Sequence, residues 1–372
     1  KCRLGDYIRI FSGESPNRIN SEYDKIPYYK VEQLNWCEKY LGETPYLSQR
    51  GKNILPEGCV VFSKRGAAIL TNKVRMNLFP INIDTNLMGI KADNSFILDQ
   101  YLFYFILRAR LNRIADTSTI PQINNIHINP ITIYVPSLAE QEIITKFLAL
   151  LDERIATQRR LIEDFISLRR AILQDAIKRG LSKKSWKFTT LNDILTERGE
   201  RNSDGYDVCS VSVSEGVVNQ IEYLGRSFAA KETRQYNVAR YGDIIYTKSP
   251  TGSFPYGIVK RDTQKEPAAI SPLYGVFVPK QDWIGMLLGY YFESEVNTFN
   301  YLHPIIQKGA KNTINITNSG FLANSVPLPS NESEASALAK CLDTITNKIV
   351  LEKSVLTHYT EQREYLLSKM FV

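Results

Sequence analysis

At 372 residues the chain exceeds what one hydrophobic core usually serves, so two or more domains are expected. It is 43% hydrophobic and 23% charged, an ordinary globular balance, and no run of about eighteen apolar residues is present to span a membrane. Five scattered cysteines without a CxxC spacing and three dispersed histidines argue against a disulfide framework or a zinc motif, and favour a reducing cytoplasm.

The net charge of +7 is unevenly placed. Residues 1–135 carry 17 Lys and Arg against 12 Asp and Glu, and residues 136–185 carry 10 against 7. Residues 186–326 balance at 14 and 14, and residues 327–372 hold 5 against 6. A mildly basic first half is compatible with nucleic acid without requiring it.

In chain order, residues 1–135 read as a mixed, strand-rich domain. LGDYIRIF (4–11), GCVVFSK (58–64) and PITIYVP (130–136) are short β-prone runs bounded by turn residues, and LDQYLFYFILRAR (98–110) predicts a helix. Its terminal Arg108 and Arg110 suit the negative end of the helix dipole.

Residues 136–185 predict one long helix, because no Pro or Gly interrupts the chain between Pro136 and Gly180. Apolar residues recur at Ile144, Leu148, Leu151, Ile155, Ile162, Phe165, Leu168 and Ile172, broken once by Gln158. Steps of three and four are the signature of a helix burying one stripe. Forty residues at about 1.5 Å each would span roughly 60 Å.

Residues 186–326 repeat the first domain loosely. LNDIL (191–195) echoes LGDYI (4–8), GDIIYTK (242–248) echoes GCVVFSK, and WIGMLLGYYFESEV (283–296) stands where the first domain has its helix. Between these anchors the two segments have little in common. Residues 327–372 then repeat the long helix 194 positions on, with Leu338, Leu342, Ile345, Ile349, Leu356, Tyr359 and Leu366 in register and Glu352 at the polar break. RRAILQDAI (169–177) faces REYLLSKMF (363–371), and just upstream, at an offset of 193, QINN (122–125) meets NITN (315–318). A shared register with a shared defect indicates an internal duplication.

No chemistry is legible in the chain itself. A methyltransferase acting on an amine would need an N-P-P-[FY] loop, and none occurs. The nearest approach to a phosphate-binding loop, GETPYLSQRGK (42–52), has the wrong spacing. Asp193 and Asp243, at repeated helix or strand openings, read as residues that maintain the fold.

The alternation of two variable domains with two similar long helices, the GD-type openings, the VSVSEGVV (211–218), YNVARYGDIIYTK (236–248) and ISPLYGVFV (270–278) segments and above all PSLAEQEII (136–144) resemble the specificity subunit of type I restriction–modification systems. PSNESEASAL (329–338), which opens the second helix, lacks the Glu-Gln pair. The resemblance implies an α+β fold with a pseudo-two-fold internal repeat: target recognition domains at 1–135 and 186–326, joined by antiparallel coiled-coil spacer helices at 136–185 and 327–372. Leu148, Leu151, Ile155, Ile162, Leu342, Ile345, Ile349 and Leu356 would form the spacer coiled coil.

The resemblance also implies partners. They are double-stranded DNA with a bipartite target, two adenine-N6 methyltransferase subunits and two motor-nuclease subunits. S-adenosylmethionine, ATP and Mg are then expected on those subunits, and no cofactor or metal on this chain. Base reading needs Arg, Lys, Asn, Gln or Ser on exposed loops. The candidates are Lys64, Arg65, Gln122, Asn124 and Asn125 in the first domain, with Lys248, Ser249, Lys308, Lys311, Asn312 and Asn315 in the second. Exposed Arg159, Arg160 and Arg169 are the candidates for docking the methyltransferase. Two alternatives stay open: a coiled-coil interaction scaffold without base reading, and the specificity subunit of a system whose nuclease and methylase are fused.

Overall fold

The computed structural model describes residues 1–15, 25–49, 53–117, 120–226, 232–308 and 314–371 and, for Leu224, Gln307, Lys308, Ile314 and Asn315, the backbone alone. The chain divides into two compact units, Lys1–Arg160 with Ser354–Val372, and Leu161–Lys353. Each unit therefore holds one globular part and one half of each long helix.

Both long helices are continuous, Leu138–Ser182 over 45 residues and Glu332–Met370 over 39. Their starts are specified locally. The Ser137 hydroxyl accepts from the Glu140 amide at 3.3 Å, while the Ser137 amide and hydroxyl donate to the Glu140 carboxylate at 2.9 and 2.7 Å, a Ser-x-x-Glu capping box. Asn331 caps the second helix at the matching place, accepting from the Glu334 amide at 3.1 Å.

Gln141 of the Glu-Gln pair is fully buried. Its amide accepts from the Leu98 amide at 2.8 Å and donates to the carbonyls of Phe96 and Pro136, which ties the helix to the domain before it. Fully buried Ala335 stands at the corresponding position of the second helix, so that junction is apolar.

In the first unit Cys2–Arg3 pairs antiparallel with Thr132–Ile133, closing the domain at the foot of the long helix. A four-stranded antiparallel sheet follows in the order Ile8–Ser12, Leu87–Ala92, Val60–Ser63, Val74–Met76. The second unit repeats it. Trp186–Thr190 pairs with Ser325–Pro329, and the sheet runs Leu195–Glu197, Gly275–Pro279, Ile244–Tyr246, Val259–Arg261.

The central strands read VVF and IIY without alternation because each is buried on both faces. Val60 and Phe62 join the main core with helix Asp99–Ala109, whereas Val61 enters a smaller core with Phe11, Tyr29, Leu34, Leu55 and Ile83. In the second unit Ile244 and Tyr246 face helix Asp282–Tyr291, and Ile245 faces Val217, Ala239, Ala268 and Ile270. The smaller cores belong to lobes that differ between the units. In the first, Ile26–Tyr29 pairs antiparallel with Leu47–Ser48 and parallel with Asn82–Ile83. In the second, Cys209–Ser212 forms a hairpin with Gly216–Asn219, and Asn237–Ala239 pairs with Ala268–Ile270.

Some expectations need adjustment. LGDYIRIF is not one strand: Leu4–Asp6 is a 3-10 turn, and the strand begins at Ile8. PITIYVP contributes only Thr132–Ile133. On the first long helix Leu168 is exposed, and Arg169 takes the buried position. Leu148, Leu151, Ile155 and Ile162 are buried, as are Leu342 and Ile349, while Ile345 and Leu356 are half-buried. Gln158 and Glu352, the polar breaks, are buried as well. Within the first unit Asp152 meets Arg363 while Leu148 shares a core with Leu367, and within the second Arg169 meets Thr346 while Leu173 shares a core with Leu342. The two helices are thus antiparallel in each unit.

Candidate nucleic-acid interface

Both central strands open on a glycine in the left-handed region, Gly58 (φ 78) and Gly242 (φ 93), and run out into a polar loop. In the first unit that loop begins with half-buried Lys64 and exposed Arg65. The Ile123 amide donates to the Lys64 carbonyl at 2.8 Å, the Gly66 amide donates to the Pro121 carbonyl at 2.8 Å, and Arg65 forms a backbone bridge with Gln122. Candidates some sixty positions apart in sequence thus belong to one hydrogen-bonded construction, with Asn124 and Asn125 exposed at its end. Asn124 precedes the short helix Asn125–Ile128, and its amide donates to His127 Nδ1 at 2.9 Å.

The second unit carries Lys248 at the same place, after strand Ile244–Tyr246. Lys248 holds φ 56, an unusual conformation for a residue with a Cβ, and burial lowers the pKa of its ammonium group against a weaker opposing pull from Glu197. Gly257 lies directly beneath: a Cβ there would stand 3.0 Å from both the Lys248 and the Ser249 amide nitrogens. Ser249 is exposed. Gln307–Lys308 pairs antiparallel with Ile314–Asn315, which places the backbone of Lys308 and Asn315 in a small hairpin. Lys311 and Asn312 lie outside the described residues.

Residues 1–164 match the family model of the type I restriction modification DNA specificity domain. The fold of the whole chain has solved counterparts. The type I restriction-modification system S subunit from M. genitalium covers 100% of this chain and 95% of its own, with a TM-score of 0.59 at 14% identity. A chain from a structure of type I R-M complex assembly and conformational transition covers 99% and 96%, with a TM-score of 0.56 at 14% identity. No curated protein matches the chain in sequence. The matched segment holds the first unit's Lys64 and Gln122 loops, and the second unit repeats its sheet order.

The docking candidates separate. Arg160 is exposed, and Arg159 is exposed and paired with Glu38. Arg169, expected at the surface, is buried: it donates to Thr346 and Glu293 at 2.6 Å each, and its guanidinium lies 4.9 Å from the Tyr290 ring centre. Its counterpart 194 positions on is Arg363, which binds Asp152, and Asp152 in turn accepts from Tyr104 at 2.6 Å. Each unit therefore fastens its helix pair to its globular part through an Arg from one helix, a polar residue from the other and a Tyr from the domain. The register RRAILQDAI over REYLLSKMF already aligned the two arginines, but charge alone reads as a solvated face. Asp243 is buried and takes a two-pronged bond from Arg198 at 2.6 and 2.9 Å, in keeping with a role in the fold.

Among the described residues no cluster of His, Cys, Asp and Glu could hold a metal ion, and no helix is long and apolar enough to cross a membrane. The five cysteines are free thiols.

Proposed function

We propose that the chain is the DNA-reading subunit of a type I restriction–modification complex, each globular part reading one half of a split target. The observation that carries this is the doubled scaffold: one sheet order occurs twice, each copy bears a different lobe, and each ends its central strand in a Lys-containing loop. The specificity-domain match over residues 1–164 supports DNA as the ligand. Arg65 has the fork that suits guanine O6 and N7, the amides of Gln122, Asn124 and Asn125 suit adenine N6 and N7, and Lys64 suits a phosphate. Lys248, Ser249, Lys308, Lys311, Asn312 and Asn315 take these roles in the second half.

Catalysis falls to partner subunits, two methyltransferases using S-adenosylmethionine and two motor nucleases using ATP and Mg, all in the cytoplasm. The long helices, 45 and 39 residues, act as the ruler for the unread gap. Arg159 and Arg160 serve docking, and buried Arg169 does not.

The deciding experiment is genome-wide mapping of N6-methyladenine in cells carrying the partner methyltransferase with and without this gene. A split motif that appears only with the gene, and of which one half changes when residues 1–135 are exchanged, supports the reading. A gene-independent methylation pattern refutes it and leaves the scaffold reading. Insertion of four residues after Arg159 lengthens the unread gap if the helices act as the ruler, and an unchanged gap ends that part of the proposal.

A further inference from the structure

The helix Asp99–Ala109 ends on a residue that no local rule favours. Arg110 holds φ 57 and ψ 102, a region in which glycine is the usual occupant. The break is built rather than frayed. Asn72, itself at φ 49, donates from its side-chain amide to the Leu107 carbonyl at 2.9 Å and accepts from the Leu111 amide at 2.9 Å, pinning the chain on both sides of Arg110.

The strained turn gathers Arg108, Arg110 and Arg113 around a notch of about 370 Å³, completed by Glu364, Leu367 and Ser368. Arg110 pairs with Glu364 at 3.2 Å, but both side chains are half exposed, at 51% and 50%. An ion pair that wet contributes too little to account for a strained backbone. Among the described residues Arg108 and Arg113 form no ion pair at all.

Taking the DNA-reading function as given, we propose that this notch binds a backbone phosphate of the duplex beside the half-site that the first domain reads. Three arginines lining one concavity suit the oxygens of a phosphodiester. Duplex DNA is favoured over an acidic protein segment by continuity with the recognition loops. Arg113 lies three residues from Asp116, whose amide donates to the Gln122 carbonyl at 3.0 Å and whose carbonyl accepts from the Gln122 amide at 2.9 Å. Three residues reach at most roughly 10 Å, about three base-pair steps of 3.4 Å. Glu364 occupies Arg110 in the free protein and is the group a phosphate displaces. The second domain has no equivalent: Phe292, Glu293, Ser294 and Glu295 follow its helix Asp282–Tyr291. The contact therefore belongs to one half-site only.

The test uses the full chain assembled with its methyltransferase partners and measures affinity for cognate and random duplexes across a salt series. Arg108→Ala and Arg113→Ala each remove part of the slope of about 0.9 that one phosphate contributes, the double variant removes nearly all of it, and both duplexes weaken alike. Arg110→Gly does the same while raising the melting temperature, because it relieves the strained turn. Glu364→Gln tightens binding by freeing Arg110. Unchanged slopes with intact assembly overturn the proposal, and so does loss of methyltransferase assembly with DNA binding preserved, which would assign the notch to an acidic protein segment. Absence of any cognate preference in the unaltered complex would instead refute the DNA-reading function, while the slopes on random duplex still judge the notch.

Discussion

The two globular parts solve one structural problem with opposite electrostatics. Where the central strand begins, the first unit places Cys59 opposite Asn77 and the second places Asp243 opposite Asp262, and all four are buried. In the first, Asn77 accepts from the Cys59 amide at 2.7 Å and donates to the carbonyls of Pro56 and Phe79, so a neutral amide satisfies the turn. In the second, Asp262 accepts from the Gln264 amide at 2.9 Å with one oxygen and leaves the other without a partner, while Arg198 neutralises Asp243. The backbone path repeats, and the side chains that stabilise it have diverged to suit the lobe above. Arg198 and Arg240 both reach Glu200, which ties this acid pair to the second unit's own lobe.

The largest expected effect breaks that comparison at its charged end. Asp243→Ala leaves the Arg198 guanidinium with Glu200 alone and the Arg240 amide without its acceptor, and costs about 3 kcal/mol. Cys59→Ala at the matching position removes one sulfur from a core and costs about 1 kcal/mol. Denaturant unfolding of the two variants checks the difference, and equal losses would mean that the network carries no special weight.

Next comes pH. Burial raises the Asp262 carboxyl from 3.8 to about 6, with the Asp243 carboxylate pushing it the same way. Because the folded value lies above the unfolded one, this residue's contribution is fully present below about pH 4 and is lost as pH rises through 6. The loss amounts to about 3 kcal/mol at neutral pH, since a tenfold change in proton affinity corresponds to about 1.36 kcal/mol. Asp262→Asn, which installs the first unit's residue, removes this dependence and raises stability at pH 7. Unfolding at pH 4, 5, 6 and 7 with and without the substitution measures it. A slope that persists in the variant would assign the effect to another group.

How much of this could be read beforehand follows from the range of each signal. The long helices were legible because their period and the absence of breakers are local, and the duplication because its register survives over 194 positions. The strands VVFS and IIY were legible as apolar runs between turn residues. Illegible were the facts made by distant partners. Arg169 reads as a surface charge, yet it is buried by Glu293 and Thr346, which lie 124 and 177 positions away. Asn72 and Leu107, which set the Arg110 turn, are 35 positions apart. Lys64 and Gln122 stand in stretches far apart in sequence, and only the fold joins their loops.

The helix-to-domain fastening offers a third contrast. Asp152 in the first unit takes bonds from Arg363 and Tyr104, whereas Thr346 in the second is a neutral hydroxyl between Arg169 and Tyr290. Asp152→Ala removes a charged acceptor and costs about 2–3 kcal/mol, against about 1 kcal/mol for Thr346→Ala. Lys39 adds to the first unit's sensitivity: it donates to Tyr104 at 3.0 Å, and burial lowers its pKa to about 8. That folded value lies below the unfolded 10.5, so the first unit gains stability from this group as pH rises from 8 towards 10.5, and Lys39→Met abolishes the gain.

The smallest effect tests where the stripe runs. A strict seven-residue repeat from Ile144 would bury Ile172, whereas the buried residue is Leu173, with Leu168 left at 49% exposure and Arg169 inside. A straight helix turns once in about 3.6 residues and so drifts by roughly one position over four heptads. The second helix drifts alike, burying Leu367 where the repeat points to Leu366. Gln362 stands at the second-helix counterpart of Leu168. Leu168→Gln therefore changes stability by less than about 0.5 kcal/mol, the range of an ordinary surface exchange. A loss of about 2 kcal/mol or more would be the signature of a buried leucine and would restore the strict repeat.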